Sequence, residues 1–104
     1  MKHLVRIALL LSTCANAGEI RVFNSEAEIP ASCEARIGII QPLTFSPKAA
    51  KKGLEKLEIR VLKECKKSTA RVHANAFFLK GFEKSDGSDG SVRIRCTGVA
   101  YQCK

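Results

Sequence analysis

The side chains in this 104-residue sequence that could carry chemistry are its cysteines, its histidines and several closely spaced carboxylates and cations. Cys33, Cys65, Cys96 and Cys103 stand far apart, with no Cys-x2–4-Cys pair among them. Structural zinc sites are usually built on such close pairs. A thioredoxin-like redox centre needs Cys-x-x-Cys at a helix start. An even set of widely spaced cysteines in a short exported chain points instead to structural disulfides and an oxidising compartment. His73 could activate a thiolate only with an orienting acid beside it, and no such acid is identifiable. Glu26 and Glu28, and likewise Glu55 and Glu58, lack the apolar surroundings that would split their pKa values for acid–base work. Asp86 and Asp89 lie in a loop much shorter than a twelve-residue calcium hand and without its closing glutamate, so they read as turn residues. Neither a phosphate-binding glycine loop nor a serine nucleophile motif is present. What remains is electrostatic. Lys48, Lys52, Lys56 and Arg60 recur every four residues, a candidate anion-binding row. Like charges at this spacing destabilise a helix by ~0.2–0.5 kcal/mol per pair. The competing reading is an ordinary solvated helix face. No catalytic residue, metal or cofactor is expected.

The start of the chain has the pattern of an export signal. Lys2 and Arg6 give a positively charged start before a short apolar stretch from Ile7, and Ala15-Asn16-Ala17 supplies small residues for cleavage after Ala17. The stretch is too short to span a bilayer, and no later segment is apolar enough. A rival reading takes Leu11-Ser12-Thr13-Cys14 as a lipobox, with Cys14 lipidated. Signal residues 1–17 leave a single domain over 18–104, periplasmic or secreted. Lys2 and Arg6 depart with the signal, so 16 of the 18 basic side chains face 10 acidic ones, a net of +6. That excess favours anionic envelope components, or an acidic face of an envelope protein, over nucleic acid, which an exported protein rarely meets. A domain this small buries only about 60–65% of its chain surface, which gives disulfides a sufficient structural role.

The elements that must hold these residues follow from periodicity. Glu19–Phe23 alternates as a half-buried strand. Glu34–Ile40 reads as a second, closed by Gln41-Pro42, because proline lacks a ladder donor. Ser46-Pro47 is a helix start, a capping hydroxyl before proline at the first helical position. Ala50, Leu54, Leu57, Val61, Leu62 and Cys65 form one apolar stripe on a helix running to about Lys67, and continuing, broken, toward Val72. Asn75–Glu83 is the third strand, Ser85–Gly90 a hairpin turn, and Val92–Cys96 the fourth strand. Gly98 marks a bulge or a close approach before Val99–Cys103 continues. The expected fold is a two-layer α+β domain, β-β-α-β-β, with one amphipathic helix on a mainly antiparallel four-stranded sheet.

Short motifs within this order resemble the RcsF-like and YbjQ-like small envelope proteins of Gram-negative bacteria. Ala74-Asn75-Ala76-Phe77-Phe78-Leu79 looks like their Ala-Asn-Ala-apolar lead into the third strand. Cys96-Thr97-Gly98-Val99-Ala100 resembles the Cys-x-Gly-x-Ala segment of the stress-sensing lipoproteins. Gly98-Val99-Ala100-Tyr101-Gln102-Cys103 and Cys33-Glu34-Ala35-Arg36-Ile37-Gly38 resemble further elements of the group. Phe82 stands where those proteins carry a cysteine. The resemblance implies an envelope location and the same fold, not a signalling role.

Four cysteines allow three pairings. Cys65 lies on the helix stripe and Cys96 shares parity with Val92 and Ile94, so periodicity favours a Cys65–Cys96 staple. Cys33 and Cys103 are then left, a pair that the resemblance also implies. Cys33–Cys96 with Cys65–Cys103 stays open, and Cys33–Cys65 with Cys96–Cys103 is disfavoured as too local a bridge. The expected function is that of a non-enzymatic envelope binding or stress-sensor-like protein. The alternative is a small periplasmic enzyme or inhibitor with a site built from loops.

Overall fold

The computed structural model describes residues 20–104, so the export signal and the Cys14 alternative lie outside the described residues. Strand β1 (Arg21–Phe23) leads through a 3-10 turn (Glu26–Glu28) into the long strand β2 (Cys33–Phe45). A short helix α1 (Pro47–Ala50) and the main helix α2 (Leu54–Arg71) follow, then strands β3 (Ala76–Asp86) and β4 (Val92–Cys103). The sheet order is β1-β3-β4-β2. The expected α+β class holds, with one main helix on a four-stranded sheet, although β1 pairs with β3 in parallel and the sheet is therefore mixed. β4 runs antiparallel to both β2 and β3, so those two strands point the same way on either side of it. Parallel strands require a crossover of a dozen or more residues. The two helices supply it.

Strand β4 shows why the layers form. Val92, Ile94, Cys96 and Ala100 are buried while Arg93 and Arg95 are exposed, a period of two. The buried set meets Phe77, Ile39 and Phe45 from the neighbouring strands and Leu57, Val61 and Cys65 from α2. Thr69, also fully buried on α2, satisfies its hydroxyl on the Cys65 carbonyl at 2.9 Å. On the opposite sheet face a smaller cluster gathers Phe23, Ala76 and Cys103, with Ile29, Cys33, Phe78 and Tyr101 packed around it.

The disulfides are Cys33–Cys103 and Cys65–Cys96. The first joins residues that face each other in the β2–β4 register, and the second pins α2 to β4. Beside the first, the Asn75 side chain acts as an extra rung of the ladder. Its amide donates to the Cys103 carbonyl and its carbonyl accepts the Cys103 N–H, both at 2.8 Å.

Two local expectations need correction, and one alternative is decided. β2 does not stop at Gln41-Pro42 but runs through both to Phe45, with Pro42 opposite Arg95. Because β2 is the sheet's edge, a residue without a donor is tolerated where its nitrogen faces away from the ladder. The helix does not run unbroken from Pro47. Ser46 Oγ accepts the Ala49 N–H at 3.2 Å as a cap should, yet α1 lasts one turn. Gly53, at φ 112°, turns the chain before α2 begins. Glycine costs about 1 kcal/mol in a helix interior and enters the positive-φ region freely, so the break falls there. Gly98, for which a bulge and a close approach were the two alternatives, is the close approach. Strand β4 is continuous, and the register shifts lie in its neighbours, at Arg36 of β2 and Lys80 of β3.

Candidate functional site

The histidine and the carboxylates fall to structural positions. His73 is the left-handed residue that ends α2, with φ 61°. Its N–H bonds to the Ala70 carbonyl at 3.0 Å, and the Ala74 N–H to the Thr69 carbonyl at 3.1 Å, the paired bonds of a Schellman stop. Glycine is the usual residue there because a β-carbon is disfavoured at positive φ. Replacing His73→Gly is therefore expected to raise stability by ~0.5–1 kcal/mol in urea unfolding, with an unchanged fold. Glu28 accepts the Asn24 N–H at 3.1 Å and so closes the turn after β1. Glu55 lies in the first turn of α2, where a negative charge suits the helix dipole. Asp86 pairs with Lys84 at 3.6 Å.

Asp89 organises the β3–β4 hairpin. Its carboxylate accepts the Ser91 hydroxyl at 2.6 Å and the Ser91 N–H at 3.0 Å. The hydroxyl bond first, and the backbone bond second, hold this carboxyl below the ordinary carboxylate range. A depressed folded value stabilises the hairpin at pH above the unfolded pKa, ~3.9, and the effect is lost as pH falls through the folded value. Ser91→Ala is expected to move the Asp89 titration, followed by NMR, back up toward that ordinary value. An unmoved titration would show that the hydroxyl bond is not the cause.

The basic residues are redistributed by the break at Gly53. Lys48 sits on α1 and Lys52 in the turn, whereas Lys56 and Arg60 share the outward side of α2. A strict four-residue series drifts about 40° per step around a helix with 3.6 residues per turn. It cannot stay on one face for long. The row that does stay outward alternates four and three: Lys56, Arg60, Lys63 and Lys67, all exposed. Lys63 and Lys67 escaped the sequence reading because it followed the four-residue spacing alone. Arg60 is steadied by its guanidinium lying 5.3 Å from the centre of the Phe45 ring. Lys67 pairs with Glu64 at 3.3 Å. Ile59 lies beside these cations at 56% exposure, with the exposed Glu55 one turn before it.

On the sheet's other face, beyond the small cluster, Arg93 and Arg95 line a shallow hollow of ≈ 280 Å³ with Glu83, Lys84 and Ser85. Arg95 is ion-paired with Glu83. Among the described residues no group of three or more His, Cys, Asp or Glu side chains is arranged to hold a metal ion, and no helix is long and apolar enough to cross a membrane. Among the described residues the two disulfides consume every thiol that could otherwise act as a nucleophile. The arrangement can therefore present fixed positive charge over a rigid, covalently braced scaffold. No known protein family, curated protein or solved structure matches the chain.

Proposed function

We propose that this is an exported, non-enzymatic binding protein of the bacterial cell envelope that engages an anionic surface. The observation that carries the reading is the outward face of α2, where Lys56, Arg60, Lys63 and Lys67 stand exposed around Ile59. Ammonium and guanidinium groups on one face suit phosphate-bearing partners, and an exposed isoleucine between them suits the boundary between head groups and acyl chains. Lipopolysaccharide and anionic phospholipid present that chemistry. The two disulfides support an oxidising compartment. The resemblance of the Ala74–Leu79 and Cys96–Cys103 segments to RcsF-like proteins supports the envelope location.

The test is binding to phosphatidylglycerol vesicles and to lipopolysaccharide over a range of salt concentrations. The native chain is expected to bind both, more weakly as salt rises, because exposed charges are screened. Lys56→Gln, Arg60→Gln and Lys63→Gln together are expected to lower affinity at least tenfold at low salt with an unchanged circular dichroism spectrum. Equal binding by the triple variant would remove α2 from the reading.

A further inference from the structure

Strand β2 forms one edge of the sheet, and along its thirteen residues nothing among the described residues pairs with its outer side. Unpaired edges template further strands, and proteins guard them with charges, bulges and proline. The guards on β2 are at its two ends. Glu34 and the bulge residue Arg36 stand on one side, and Pro42 on the other. Between them Ile37-Gly38-Ile39-Ile40-Gln41 has no charge, no proline and three β-branched side chains. Ile37 is 52% and Ile40 61% exposed, so apolar surface is left uncovered along the free backbone. Proline is accepted on an edge where its nitrogen faces outward. The register holds without a shift from Ile37 to Phe45, so Gly38 and Ile40 share the parity of Pro42 and turn their backbone groups outward with it.

Next to this stretch lies a shallow depression of ≈ 330 Å³, lined by Gly38, Ile40, Val99, Thr97 and Lys80. Gly38 contributes no side chain to fill it, and Ile40 and Val99 give it an apolar wall. Lys80 and Arg36 are the two residues extruded by the register shifts that flank β4. Arg36 adds a cation on the edge strand itself, and Lys80, on β3 beyond β4, adds one at the far wall of the depression.

We infer that the Ile37–Gln41 edge of β2 receives an extended segment of a partner protein that alternates apolar and acidic side chains. The segment adds a fifth strand through the outward backbone groups of Gly38 and Ile40. One of its apolar side chains enters the depression, and its carboxylates meet Lys80 and Arg36. Charge selects this occupant over a second copy of the chain, which would bring the same excess of cations to the edge. The surface is separate from α2, so the inference stands whether or not α2 binds an anionic surface.

The experiment titrates the isotope-labelled protein with a capped ten-residue peptide of alternating glutamate and valine. The controls are a lysine–valine peptide and a glutamate–valine peptide N-methylated at alternate residues on one edge and, separately, on the other. The expected result is a set of amide shifts centred on Ile37–Gln41, with slowed exchange at Gly38 and Ile40. The lysine–valine peptide is expected to bind at least tenfold more weakly. Only one of the two N-methylated peptides should retain binding, since a strand addition uses one edge of the added strand. Ile40→Asp is expected to weaken binding at least tenfold, and the α2 triple variant to leave it unchanged. Shifts confined to α2, equal binding by both N-methylated peptides, or dimerisation through β2 in sedimentation would each overturn the inference.

Discussion

Replacing Gly98→Ala is expected to cost at least ~3 kcal/mol and to leave the domain largely unfolded at physiological temperature. A β-carbon at this position would press directly on the Phe78 carbonyl oxygen and stand 2.5 Å from Phe77 Cζ. The first obstacle is backbone of the paired strand and the second is a fully buried ring, so neither can move aside cheaply. Relief requires β3 to separate from β4, and that would break the central ladder of the sheet. Gly81 is the control, because a β-carbon there meets nothing within 4 Å. Gly81→Ala is expected to change stability by less than about 0.5 kcal/mol. Thermal unfolding of both variants under oxidising conditions separates a packing clash from a general intolerance of side chains at strand glycines. Equal stability of the two would contradict the close approach.

The second large effect is expected from removing the bridge in the core. Cys65→Ala with Cys96→Ala opens a loop of sequence separation 31, for which the chain-entropy account gives a loss of roughly 3–4 kcal/mol. A domain of this size loses about 4–8 °C of Tm per kcal/mol, so a fall of roughly 12–30 °C follows. Both sulfurs belong to fully buried residues, and the alanines leave unfilled volume that adds to the loss. Cys33→Ala with Cys103→Ala opens a longer loop, of separation 70, yet Asn75 still holds Cys103 by two backbone-type bonds. Its removal is expected to fray the β2–β4 end and leave the α2 interface intact. Amide exchange resolves the two outcomes: protection across Leu57–Thr69 falls in the first variant and persists in the second.

The Cys65–Cys96 staple was legible in the sequence because two periodicities, 3.6 on the helix and 2 on the strand, each assign one cysteine to the core. The stripe of Leu57, Val61 and Cys65 was legible for the same reason. The strand end expected at Pro42 and the single helix expected from Pro47 do not hold, because the meaning of Pro42 and Gly53 depends on tertiary placement. Proline ends a central strand but not an edge, and the strand order that makes β2 an edge leaves no local trace. Glycine marks a possible break, and the positive φ that Gly53 adopts between α1 and α2 is what makes it one. The parallel pairing of β1 with β3 is likewise a long-range choice. At the candidate site, Lys56 and Arg60 could be read from spacing. Lys63 and Lys67 belong to the row only under the alternation of four and three that a 3.6-residue period imposes.

The placement of β4 between β2 and β3 has a bearing on the order in which the protein can assemble. A chain that emerges N-terminus first delivers β2, both helices and β3 before any of β4. Until then neither long strand has its main partner, because the only pairing already possible is the three-residue contact of β1 with β3. Residues 92–103 supply both antiparallel ladders and one cysteine of each bridge. Folding is thus withheld until the last described strand arrives, and then occurs with most of its contacts at long range. A nascent or truncated chain ending before Val92 has no sheet to close and no correct disulfide to form, and stays pliable for passage or for proteolysis.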